Sequence, residues 1–208
     1  MERYCIRNRE FLDVNDKKSQ NGKSHGLTQE WYKDSYQILA GCGATVAATI
    51  LIYYEQCKSF KNLEISDVLY KMEELWAYLL PIKGMGLNST QLFYNGIVKY
   101  FKDKNIEIKY SHIDINVKNK ISLEQIVNYL KNEILNDRPV AFLNLCNGEE
   151  NSLDRWHWVT VYEIFKEKLN GKEEYFLNIL DDREIKKINL SLWYSTIKND
   201  GGFVSFYF

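Results

Sequence analysis

Apolar and polar positions change rhythm twice along the chain. Residues 1–30 are polar, and residues 15–24 show neither a helical nor a strand period, which predicts a loop or a mobile arm. From residue 43 to about 57 the sequence is nearly continuously apolar, Ala44-Thr45-Val46-Ala47-Ala48-Thr49-Ile50-Leu51-Ile52-Tyr53-Tyr54, a length and texture that predict a buried helix. Residues 66–80 read as an amphipathic helix with Ser66 as its cap and Pro81 as its stop. A third helix, capped by Asn88 or Ser89 and running to about Asp103, carries Leu92, Phe93, Ile97, Val98 and Phe101 on one face. Residues 106–110 then predict a short strand. Ser122 opens a fourth helix, striped by Leu123, Ile126, Val127, Leu130 and Ile134, that ends before Arg138-Pro139.

Beyond Pro139 the period shortens. Residues 140–145, 158–164, 175–180 and 203–208 are β-branched and aromatic runs of strand length, separated by turn-like or charged segments. Consecutive strands with short connections imply an antiparallel sheet. Helices first and strands later predict an α+β fold, a helical lobe packed on a sheet lobe with a cleft between them. Residues 1–30 are expected as a polar arm and residues 31–208 as one domain.

Composition narrows the function classes. The chain of 208 residues is 45% hydrophobic and 26% charged with a formal net charge of −1, and no large basic block invites nucleic acid. No stretch approaches 18 apolar residues, and the N-terminus lacks an apolar signal core, so a cytoplasmic protein without a membrane segment is expected. The four cysteines, Cys5, Cys42, Cys57 and Cys146, are too widely spaced for a metal pair or a disulfide framework, which fits a reducing compartment.

Candidate chemistry begins at Gly41-Cys42-Gly43. The thiol stands where the buried helix starts, and a helix N-terminus, with its unpaired N–H groups and partial positive charge, favours a thiolate. A nucleophile also needs an oriented base. Of three histidines, His25 lies in the polar leader and His112 is followed by Asp114 at a strand end, which predicts solvated side chains. His157 instead opens the apolar strand Trp158-Val159-Thr160-Val161-Tyr162. The next strand ends at Asp181, a carboxylate placed to accept from the far imidazole nitrogen, with Asp182 as the alternative. Gln37, five residues before Cys42, offers a side-chain amide for an oxyanion hole shared with the Cys42 N–H.

Gln37, Gly41-Cys42-Gly43-Ala44-Thr45 and the alanine-rich helix resemble the start of papain-like cysteine peptidases, nearest to the bacterial branch related to the peptidases that cleave double-glycine leader peptides. Arg138-Pro139-Val140, His157-Trp158-Val159 and the strand-terminal Asp181 are similar to later segments of that branch, and the likeness spans roughly residues 35–208. Ala44 departs from the usual proline, the Gln-to-Cys interval is short, and Asp182 stands where a proline often follows the aspartate. The resemblance implies a central nucleophile helix on an antiparallel sheet, a Cys42-His157-Asp181 triad, a Gln37 oxyanion hole, and no cofactor.

Two outcomes suit that chemistry: hydrolysis of a peptide or amide, or transfer of an acyl group to another acceptor from a peptide or an acylated small molecule. The acceptor is chosen by the pocket rather than by the triad. A binding module that holds a peptide without cleaving it is the rival from another class, although such a module has no need of a thiol. A zinc site built on Cys42, His157 and a carboxylate lacks a second thiol or histidine at ligand spacing.

Overall fold

A computed structural model describes residues 2–19 and 21–208. The elements run β1 (Arg3–Cys5), β2 (Asp13–Asn15), β3 (Lys23–His25), α1 (Ser35–Ala40), α2 (Cys42–Lys58), β4 (Leu63–Glu64), α3 (Ile65–Trp76), α4 (Thr90–Asp103) and β5 (Lys109–Ile115). They continue with α5 (Leu123–Leu135), β6 (Val140–Asn144), β7 (His157–Leu169), β8 (Lys172–Asp181), β9 (Glu184–Asn189), α6 (Leu190–Thr196) and β10 (Gly201–Tyr207). The α+β class follows directly: helices dominate the first two thirds, and an antiparallel sheet is closed by the last third.

That sheet has the order β5-β10-β6-β7-β8-β9. β7 is long enough to take two partners along one edge, with β6 opposite Val140↔Val161 through Asn144↔His157 and β1 opposite Arg3↔Phe165 through Cys5↔Glu163. The switch between them coincides with a register shift between Val161 and Glu163, where a bulge lets the strand bend. Every residue of β6 is buried, so both faces of the sheet are covered at its centre. Phe142 of β6 shows the packing: its ring stacks on Phe203 at 4.4 Å and meets the edge of Trp193 from α6 at 4.8 Å.

Helix α2 is buried at every position from Gly43 to Tyr53, as a helix that is apolar all round must be. It packs against α3 on one side and against β6 and β7 on another. No helix of the described residues is long and apolar enough to cross a membrane.

The N-terminal residues differ from the expected loop or arm. β2 and β3 form a hairpin that β4 joins as a third, parallel strand, and Ile6, Leu12, Val14 and Leu27 are buried in the same core as α2. Strands of three residues are too short to show a period, and their partners lie far along the chain, so local pattern misses them. Helix α3 starts earlier than expected because Asp67 accepts from the Glu64 N–H at 3.2 Å, making Glu64 and not Ser66 its cap. It ends at Trp76, where the N–H groups of Tyr78 and Leu79 both turn back to the Leu75 carbonyl. β5 begins at Lys109 rather than 106, and β9 was not expected at all. Both are edge strands with charged residues, a composition that protects an open edge and hides its alternation.

Candidate active site

Cys42 is the first residue of α2, and α1 ends two residues before it. The approach is set by Asp34, whose carboxylate caps α1 by accepting from the N–H groups of Tyr36 at 2.9 Å and Gln37 at 3.1 Å. The glycines beside the thiol are there for space. A Cβ on Gly41 would stand 2.4 Å from the Gln37 carbonyl oxygen and 2.6 Å from the Tyr32 ring, and one on Gly43 would stand 2.5 Å from the Leu87 side chain. Leu87 is itself fixed, because the Trp158 indole N–H donates to its carbonyl at 2.6 Å while that indole stacks on Phe93 at 4.5 Å.

The sheet presents His157 and Asp181 at its rim. His157 opens β7 opposite Asn144, and Asp181 closes β8 one step beyond the Thr160↔Leu180 pair, so the two are diagonal neighbours on adjacent strands. The His157 Nε2–H donates to Asp181 Oδ1 at 2.7 Å, and Cys42 shares the same cleft. Burial opposes a charged imidazole, but the hydrogen bonds and charges of Asp181 and Cys42 outweigh it and push the His157 pKa up to about 10. Asp181 is 4% exposed, and its second oxygen accepts from Lys186 Nζ at 2.8 Å. Burial alone would raise the Asp181 pKa, yet His157 and then Lys186 hold it below the ordinary carboxylate value.

A cleft of about 300 Å³ opens at these three side chains. Its floor is one stripe of α2, Cys42, Thr45, Val46 and Thr49 at helical spacing, facing the Thr160–Leu180 pair of the sheet. Leu39, 76% exposed, and Trp156, 52% exposed, flank the mouth. Asp154, Arg155 and residues 27–30 complete the wall. Thr28 Oγ1–H donates to Asp182 Oδ1 at 2.6 Å, and Arg183 pairs with Glu30 at 2.7 Å, tying that segment to the β8–β9 turn. Asp182 and Arg183 both hold positive φ, 48° and 69°, without the glycine such a turn favours. The stretch expected as a polar arm therefore builds part of the cleft.

Of the residues singled out in the sequence, Cys42, His157 and Asp181 come together, and Asp182 lines the same cleft with its carboxylate bonded to Thr28. Gln37 is buried, its Nε2–H donates to Glu73 Oε2 on α3 at 2.6 Å, and its side chain does not line the cleft. His25 is half-buried rather than solvated, held by Asp13 at 2.9 Å, and His112 lies against the Tyr94 ring at 4.8 Å within β5. Lys186 had no local signal, since one lysine in Lys186-Lys187 is indistinguishable from its neighbour until the hairpin sets which face each occupies. Among the described residues no group of three or more His, Cys, Asp or Glu has the arrangement of a metal site, and all four cysteines are free thiols.

Compared with known protein families and with curated proteins, the chain matches none of them.

Proposed function

We propose that this protein is a cysteine hydrolase of papain-like architecture acting on a peptide or amide bond. The observation that carries the proposal is the Cys42 thiol at the start of a buried helix, in one cleft with His157, whose imidazole is bonded to the buried Asp181 carboxylate. The raised pKa of His157 makes its imidazole a ready acceptor for the thiol proton of Cys42. The sulfur then attacks the substrate carbonyl carbon, and the electron pair of the C=O bond moves to oxygen. As the C–N bond breaks, His157 gives its proton to the leaving amine, and a thioester remains on Cys42. Water attacks the thioester while His157 takes a proton from it, releasing the acid and restoring the thiol.

The oxyanion is stabilised by the N–H groups of the first turn of α2, whose Gly41 cap offers no side-chain acceptor to compete for them. Asp181 keeps the imidazole in one orientation and favours its charged form. Exposed Leu39 and Trp156 at the mouth supply apolar contact to the chain on either side of the scissile bond.

Intact-mass detection of a covalent adduct on Cys42 after exposure to panels of peptides and thioesters tests the proposal. An acyl adduct that forms and then decays in water is expected, and its absence from Cys42→Ala is the control. An adduct that decays only when an amine or thiol is added makes the protein an acyltransferase. No adduct with any panel, together with peptide binding, makes it a binding module and defeats the proposal.

A further inference from the structure

We propose that Lys186 is a positioning residue, which clamps the second carboxylate oxygen of Asp181 and so sets the orientation and charge that Asp181 presents to His157. The inference holds provided that Cys42, His157 and Asp181 work as proposed above.

The β8–β9 hairpin creates the contact. Lys186 lies opposite Ile179 on β8, and Asp181 is two residues further along the same strand, so the pair share a face at diagonal spacing. A lysine stem spans that gap, and Nζ reaches Oδ2 at 2.8 Å while Oδ1 is taken by His157 at 2.7 Å. A carboxylate torsion is broad and roughly two-fold, so a single partner leaves the group free to swing. Two partners on opposite oxygens fix it. Lys187, next in the chain, points elsewhere and pairs with Glu167.

Charge gives the clamp its second effect. Around Lys186 stand Asp181, Asp154 ahead of β7 and Glu184 on β9, while Cys42 acts on His157 from within the same cleft. Asp182 in the turn is engaged with Thr28 and lies 3.9 Å from Arg183. Lys186 is thus the cation bound to the carboxylate that holds His157. Its charge offsets part of the pull of Asp181 on the imidazolium, which keeps the proton transferable to a leaving group and not locked on the ring.

The test is direct titration of His157 by NMR in a Cys42→Ala background, where the thiol no longer contributes and three histidines in the chain make assignment simple. Lys186→Met should raise the His157 midpoint by about one pH unit, the scale of a nearby charge. Lys186→Arg should restore it, and Lys187→Met should leave it in place. A Lys186→Met midpoint that is unchanged or lowered overturns the inference. Should that variant not fold, Lys186→Gln, neutral but still a donor, must shift the midpoint in the same direction, and an unshifted midpoint overturns the inference equally. The titration needs neither substrate nor turnover. Failure of Cys42 to form an adduct would therefore remove the proposed function while leaving the Lys186 result readable in its own right.

Discussion

The indole N–H of Trp158 donates to the carbonyl oxygen of Leu87 at 2.6 Å, and the Leu87 side chain is what leaves Gly43 no room for a Cβ. A residue beside the proposed base thus holds the loop that packs against the residue beside the proposed nucleophile. Trp158→Phe removes the donor, keeps most of the ring, and leaves a buried carbonyl unpaired. A loss of about 1–3 kcal/mol in unfolding free energy is expected by urea titration. Alkylation of Cys42 by iodoacetamide should slow as well, because the loop against Gly43 is released. Unchanged stability would mean that the Leu87 carbonyl finds another partner.

Asp181 and Asp182 are adjacent in sequence and have separate partners, His157 for the first and Thr28 for the second. Asp181→Asn should cut Cys42 alkylation and adduct formation by at least about tenfold, since an uncharged partner no longer favours the imidazolium. Asp182→Asn should leave the chemistry within about twofold and show its effect in stability. Equal losses in the two variants would count against Asp181 as the orienting carboxylate.

The pH dependence of stability follows from the direction of each shift. His157 has an ordinary value of 6.5 and rises to about 10 in the folded chain, so the folded state binds more protons in that interval. Its stabilising contribution is complete below about 6.5 and is lost as pH climbs towards 10. Asp181 is lowered from its ordinary 3.8, so its contribution is present above that value and disappears as acid protonates the folded carboxylate. Urea midpoints measured at pH 6 and pH 9 should fall at the higher pH, and His157→Gln should flatten that part of the curve. A midpoint that rises towards pH 9 in the unmodified chain would contradict the raised imidazole.

Leu12 is fully buried in the core shared with α2, although its segment carries no local pattern. Leu12→Ala is expected to cost about 2–5 kcal/mol, the range of a truncated core leucine, read from thermal or urea unfolding. A mobile arm would tolerate it with no measurable change.

Much of the frame was legible because its signals are local. Ser89 and Ser122 cap α4 and α5 where their hydroxyls precede apolar stripes, accepting from Leu92 and Gln125 at 3.1 Å and 3.2 Å. The all-apolar run beginning at Ala44 could only be buried, and β6, β7, β8 and β10 show their β-branched and aromatic texture. His157 and Asp181 were visible because each sits at a strand end, a position that texture marks. What escaped depends on residues distant in sequence. β1 has no identity apart from β7, β2 and β3 need each other and β4, and the Gln37 amide is directed by Glu73, 36 positions away. The clamp by Lys186 needs the β8–β9 register, which a polar edge strand conceals.

The wall contributed by residues 27–30 also orders events in time. Thr28 and Glu30 are made well before their partners Asp182 and Arg183, as is Arg3 before Phe165 opposite it. Pairings of such long separation close slowly because the intervening loop must first be ordered. The Cys42 thiol therefore leaves the ribosome well before His157 or Asp181 exists to engage it. A chain interrupted before the β8–β9 hairpin carries the sulfur and the imidazole without the carboxylate or the Asp182 and Arg183 partners of the cleft wall, so the proposed site is completed only when that hairpin has formed.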